Sequence, residues 1–279
     1  MFSIMKRNLQ LYFHNKVSVF FSLMGAWIAF ALYVIFLQRN MLDSWSVISH
    51  PEKTLDSWVM GGVLAVTSIT TTWVGAARLT RDRESHKLDD FLLTDISLFR
   101  LNLGYFMSAS LIGIMMQVMM FVIMSLYFYR QDGLLISLAS FPLLFGVMLL
   151  SSFLGSSLGL LLLQFIKSVD VVERLAVIIG TASGFLVGVY MPIGSLPSFA
   201  QNVVKLTPGA YVAAAYRRVL MTDKLANWNL PGINIKEYLG IGLKLKHLTT
   251  LNQDLLIIGG LLLLSLFALV LVLSSKKKY

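Results

Sequence analysis

The 279-residue chain contains no cysteine. Disulfides, thiolate metal ligands and thiol nucleophiles are thereby excluded, and the redox compartment is left undetermined. Charge is scarce: 13% of residues are Asp, Glu, Lys or Arg, while 57% are apolar. Soluble domains carry about 25% charged and 45–50% apolar residues, so an ordinary water-soluble globule is excluded. Histidine occurs only at His14, His50, His86 and His247. These lie too far apart for a metal-ligand spacing, and no metal site is expected. No phosphate loop of the form G-x-x-x-x-G-K-S/T occurs, so any ATP and Mg²⁺ must be held by another chain.

What the sequence has instead is long apolar blocks. A membrane core about 30 Å thick needs about 20 apolar residues at 1.5 Å rise each. Residues 17–37, 58–77, 103–129, 134–166, 175–190 and 255–275 contain no Asp, Glu, Lys or Arg. They are read as six membrane spans. The fourth is long enough to tilt or to break near Pro142, and the fifth is short. The first block is membrane length with no small-residue cleavage site, so it reads as a span and not a signal peptide. With the N-terminus inside, thirteen basic residues fall in inner segments, against Arg39, Lys53 and Arg130 in the short outer loops. That asymmetry predicts a multi-pass protein with both termini cytoplasmic. The net charge of +9 reads accordingly as topology and contact with anionic membrane lipids, and no nucleic-acid partner is expected.

Residues 1–16 carry a further pattern. Phe2, Met5, Leu9, Tyr12 and Phe13 fall on one helical stripe, opposite Lys6, Arg7, Gln10 and His14. This predicts an amphipathic helix in the headgroup plane, the simpler reading being a basic flank of the first span. Gly155-Ser156-Ser157-Leu158-Gly159 fits the nucleophile-elbow pattern G-x-S-x-G. It lies mid-span with no histidine in any span, so it reads as small-residue helix packing. Gly180, Gly184 and Gly188 repeat the four-residue spacing and predict close approach of another helix, from this chain or a second copy. In the second span Thr67 and Thr71 form a hydroxyl stripe leading past Trp73 to Arg78. Such threonines either return their hydroxyls to the backbone or make a weakly polar wall along a pathway. The third-span methionines Met107, Met115, Met116, Met119, Met120 and Met124 are adaptable apolar surface for lipid or core. Charge-free spans argue against coupling to an ion gradient through this chain.

The segment between the second and third spans runs from Arg81-Asp82-Arg83-Glu84-Ser85-His86 through Lys87-Leu88-Asp89-Asp90-Phe91-Leu92 to Leu93-Thr94-Asp95-Ile96-Ser97. It resembles the inner loop of ABC-2 type permeases, of the form E-x-G-T-L-E-x-L-L-x-T-P-I-S. Glu84, Leu88, Asp89, Phe91, Leu92, Thr94, Ile96 and Ser97 follow that pattern. Ser85-His86 stands near its Gly-Thr, and Asp95 replaces its Pro. A second likeness lies in Gly188-Val189-Tyr190-Met191-Pro192 through Pro197 and on to Leu206-Thr207-Pro208, where the family's chain leaves span five.

This resemblance implies an all-α integral membrane protein forming one transmembrane domain over residues 1–279. Its parts would be six spans, an N-terminal amphipathic helix, a coupling helix in the inner loop 79–101, and outer-leaflet re-entrant helices within 191–254. It implies a non-enzymatic export subunit pairing with a second permease copy or a homologous permease, and with separate ABC ATP-binding subunits. Arg83, Glu84, Lys87, Leu88, Asp89, Asp90, Phe91 and Leu92 would meet the ATPase, with Leu88, Phe91 and Leu92 as an apolar stripe among the charges. Thr67, Thr71, Trp73, Phe185 and Tyr190 are candidates for the substrate pathway. The cargo would be an amphipathic drug, toxin, peptide or lipid-like product, with polysaccharide or teichoic acid as the alternative. An ion-coupled carrier and a membrane-embedded enzyme are less favoured readings. Lys236, Lys244 and Lys246 among Ile235, Leu239, Leu243 and Leu245 suggest an interfacial helix within 227–252.

Overall fold

The computed structural model describes residues 1–39, 42, 51–93, 96–221 and 234–276. Helix α1 (Phe2–His14) buries Ile4, Asn8 and Tyr12, one residue per turn. This stripe packs on the bundle, while Phe2 at the expected apolar stripe's start is exposed. The Tyr12 hydroxyl meets Ser22 Oγ at 2.6 Å, tying α1 to the next helix. That helix, α2 (Lys16–Ser22), is started by the Asn15 side chain, which accepts from Ser18 N. It bends by 51° into α3 (Met24–Leu32), which continues through a π-turn at Tyr33–Leu37.

Helix α4 (Pro51–Ala76) is the axis around which the others pack. All but a few of its side chains are buried, because its small residues let neighbours come close. A Cβ at Gly75 would stand 2.9 Å from Ala109 Cα, and one at Gly61 would stand 2.9 Å from Arg217 N. Thr72 fills the space left by Gly113 on one neighbour and Gly155 on another. Two short helices follow, α5 (Arg78–Glu84) and α6 (Lys87–Leu92).

Helix α7 (Leu98–Asp132) buries Met116, Met120 and Met124 and exposes Met115 and Met119. Helix α8 (Phe141–Leu163) carries Pro142 in its first turn. Proline lacks an N–H that the first turn does not need, so Pro142 opens the helix and does not break it. The expected fourth span, 134–166, is therefore helical over a shorter stretch.

Helix α9 (Val169–Leu186) covers most of the expected span 175–190. It carries Asp170, Glu173 and Arg174 in its first turns and stops at Leu186. Its uncharged part spans about 12 residues, or about 18 Å, shorter than a membrane core. Gly188 at φ +67° ends it: Val189 N donates to Gly184 O and Gly188 N to Phe185 O. This is a glycine-terminated helix end, which needs the left-handed backbone.

Helices α10 (Ser198–Lys205) and α11 (Pro208–Met221) come next, the second almost wholly buried against α4, α8 and α13. Of the range 227–252, where the sequence predicts an interfacial helix, the described residues before the last helix hold one helical turn, α12 (Ile235–Tyr238). Residues 222–233 lie outside the described residues. Gly240 at φ +64° stops α12, and the stretch Leu239-Gly240-Ile241-Gly242-Leu243 is buried throughout. Helix α13 (Leu251–Lys276) closes the fold.

The described residues are thus helical throughout apart from turns and one isolated bridge, Lys244 to Leu248. Among the described residues, four helices are long and apolar enough to cross a membrane: α4 running on into α5, α7, α8 with its leading turn, and α13. The bent pair α2–α3 makes a fifth if counted as one span.

Candidate functional site

The end of the bundle carrying α5 and α6 is organised by Asp82, whose side chain is fully buried. Arg7 of α1 donates to both its oxygens, at 2.7 and 3.0 Å. Arg78, one turn before it, lies at 2.8 Å, and the Tyr105 hydroxyl of α7 donates at 2.7 Å. A buried carboxylate is tolerated only when paired and hydrogen-bonded, and here four donors meet it. The bond to Asp82 in turn raises the Arg7 guanidinium above its ordinary range. Three helices, α1, α5 and α7, are joined at one point.

Two residues expected to meet a partner are engaged within the chain. Arg83 Nη1 donates to Leu163 O at 3.0 Å and to Ile166 O at 2.9 Å. It satisfies carbonyls left free at the end of α8. Glu84 accepts from Val169 N at 3.3 Å, at the start of α9. Helix α5 is thus clamped to the ends of α8 and α9.

The remaining expected residues lie on α6. Leu88 and Phe91 are half-buried and pack against a cluster that includes Leu79, Leu101 and Tyr105, with the Arg7 guanidinium 5.2 Å from the Phe91 ring centre. Lys87, Asp89 and Asp90 are exposed. Leu92 is 41% exposed and Leu93, which the pattern reading passed over, is 88% exposed. The stripe Leu88, Phe91, Leu92 is therefore split: its first two members face this chain, and the outward apolar tip is Leu92 with Leu93. His86, between α5 and α6, holds φ +57°. A side chain there costs about 1–2 kcal/mol.

The pathway candidates separate likewise. Thr67 and Thr71 are fully buried, and their hydroxyls return to Val63 O and Thr67 O at 2.7 and 2.6 Å. Trp73 and Tyr190 line a groove of about 470 Å³ between α2–α3 and α9, together with Thr70, Gly180 and Thr181. Phe185 is 55% exposed and meets the Tyr190 ring edge-on at 4.9 Å.

Gly180 and Gly184 of α9 and Gly188 just beyond it do not share one packing face. Nothing lies within 4 Å of a Cβ at Gly180, so it opens onto the groove. A Cβ at Gly184 would strike the Tyr190 ring, and Gly188 is the turn residue. The close approach to α9 comes from Gly25 of α3, where a Cβ would stand 3.2 Å from Gly180 O.

Among the described residues no group of three His, Asp or Glu side chains could hold a metal ion. The residues that pattern reading missed are Asp82, Leu93 and Arg217. The spacing of Arg78 and Asp82 by four at the end of an uncharged span was the available signal. Arg7, 75 residues away, left none. No curated protein matches the sequence. A family model described as ABC-2 family transporter protein matches residues 42–275. With several apolar helices of membrane length, the chain is a multi-pass membrane protein, and it belongs to the ABC-2 transporter family.

Proposed function

We propose that the chain is the non-catalytic permease subunit of an ATP-driven exporter. It works beside a second permease, identical or homologous, with ATP-binding subunits docked on the Asp82 end. In this reading that end and both termini are cytoplasmic, and the chain crosses the cell membrane six times. Helix α9 with its following turn makes the fifth crossing, and α10 and α11 re-enter from outside. ATP and Mg²⁺ belong to the partner. The cargo is an amphipathic drug, toxin, peptide or lipid-like product, for which the groove beside Trp73 and Tyr190 offers an apolar wall.

The observation that carries the reading is the tip of α6. Leu92 and Leu93 stand outward on a short helix whose other face is packed and whose base is clamped through Asp82, Arg83 and Glu84. A rigid mount under an exposed apolar tip transmits a push from a docked partner into α1, α7, α8 and α9. Co-purification with the ATP-binding subunit tests it. Leu93→Asp is expected to weaken association by about tenfold or more, the usual effect of losing an interface anchor. Export that persists without any ATPase would overturn the reading. The cysteine-free chain also permits single-site labelling: a cysteine replacing Lys87 should react only from inside intact cells, one replacing Arg130 only from outside.

A further inference from the structure

Two spaces meet at Arg81. The first, about 850 Å³, lies between α1 and the adjoining end of α4, and its walls carry Arg7, Arg78, Arg81 and His14. The second is the groove of about 470 Å³ along α9, walled largely by apolar side chains such as Phe21, Trp73 and Val177. Ser18, Val74 and Arg81 line both, so the polar space runs into the apolar one.

The charges do not cancel at this junction. The carboxylates paired with the three guanidiniums are Asp82 and Glu173; Asp90 lines an adjoining space with Arg7 and Arg78, but Lys87 stands there too and offsets it. Asp82 is shared between Arg7 and Arg78. Glu173 reaches Arg81 at 3.3 Å, with both side chains well exposed, 62% and 40%. Such a solvated pair holds its partner weakly. Arg78 Nε is buried with no hydrogen-bond partner among the described residues. The surplus of guanidinium over carboxylate favours an anionic group. On the apolar side, Glu173 to Thr181 is eight residue steps along α9, a rise of about 12 Å, enough to lay an alkyl chain along it.

We propose that the two spaces form one site for an anionic amphiphile. A phosphate-like or carboxylate head sits beside Arg78 and Arg81, and an alkyl tail lies in the groove past Trp73 towards Tyr190. This narrows the cargo class of the exporter reading and rests on that reading only for the occupant being cargo. An anionic membrane phospholipid shares the same chemistry.

The test uses the purified permease alone, in phosphatidylcholine nanodiscs, titrated with dodecyl phosphate. Dodecyltrimethylammonium and dodecyl maltoside serve as same-tail controls, and inorganic phosphate as the head alone. Dodecyl phosphate should bind about tenfold or more tighter than either control, with inorganic phosphate failing to compete; Arg81→Gln should remove about that factor. Gly180→Leu should also weaken binding without lowering the melting temperature, since its Cβ enters open space. Glu173→Gln should tighten binding by releasing Arg81. Competition from phosphatidylglycerol in the nanodisc would assign the site to a membrane lipid. Its absence, with dodecyl phosphate stimulating hydrolysis in the full complex, would assign it to cargo. Equal binding of all three amphiphiles, or binding untouched by both Arg81→Gln and Gly180→Leu, would overturn the site. Because no ATPase enters the titration, ATPase-independent export would sink the exporter reading and leave this result standing.

Discussion

Asp82 shows how much one side chain can hold at a helix junction. Its carboxylate faces Arg7, Arg78 and Tyr105 with no exposure to solvent. Asp82→Asn would leave two guanidiniums opposed across a neutral amide. Loss of one member of a buried ion pair costs about 3–5 kcal/mol, so a clearly lowered melting temperature in detergent is expected. A melting temperature equal to wild type would show the hub to be dispensable. His86 is the opposite case. Its left-handed backbone is strained for any residue with a Cβ, and its contact with Asp89 is exposed at 3.0 Å. His86→Gly should stabilise the protein by about 1 kcal/mol, read as a rise in melting temperature. The family pattern has Gly-Thr close to Ser85-His86, and the positive φ is the physical reason a glycine suits this turn. The sequence displayed the departure but not which of the two residues bore the strain, because φ depends on how α5 and α6 are docked.

Helical spacing told which residues share a stripe, and much less about what each stripe faces. On α6 the interval Leu88, Phe91, Leu92 is real, yet the Arg7 guanidinium and the Leu79–Leu101–Tyr105 cluster claim the first two. Phe91→Ala should therefore lower stability more than it lowers ATPase association, and Leu93→Asp should do the reverse. Thermal melting and pull-down on the same pair of variants separate these outcomes. On α9 the even spacing of three glycines concealed three different jobs, since a turn residue, a ring contact and an open wall look alike as letters. Gly184→Leu should displace Tyr190 and disorder the turn at Gly188, whereas Gly180→Leu should leave the fold intact. Comparable melting of the two would contradict that division. The threonines of α4 left two readings open in the sequence. Their complete burial and short bonds to their own backbone put Thr67 and Thr71 in the packing core.

Across the whole molecule, the apolar blocks and the all-helical class were legible because bilayer thickness imposes a length that composition reveals. The end of α9 was not, since a glycine turn after Leu186 depends on what it docks against. It docks against Arg217, a fully buried side chain of α11 without a carboxylate partner among the described residues. Its guanidinium donates to Gly188 O at 2.7 Å and, more distantly, to Trp58 O and Gly240 O at 3.4 Å each, with its carbon 4.8 Å from the Trp58 ring centre. Four segments are pinned by one cation. Arg217→Met keeps the length but removes every donor, and a buried carbonyl left without a partner, as at Gly188 O, costs about 1–3 kcal/mol. Purified Arg217→Met should melt well below wild type and be cleaved by protease near Gly188 and Gly240; wild-type resistance would show the pin to be redundant. The enclosure of α4 has its own consequence for biogenesis. Buried over 89% of its most apolar stretch, against 17% for the last membrane-length helix, this segment presents glycine, serine and threonine that neighbours cover. During synthesis those neighbours α7, α8 and α11 are still unmade. The segment emerging early from the ribosome is thus the one least suited to settle in lipid unaided, and its stay in the bilayer awaits helices translated after it.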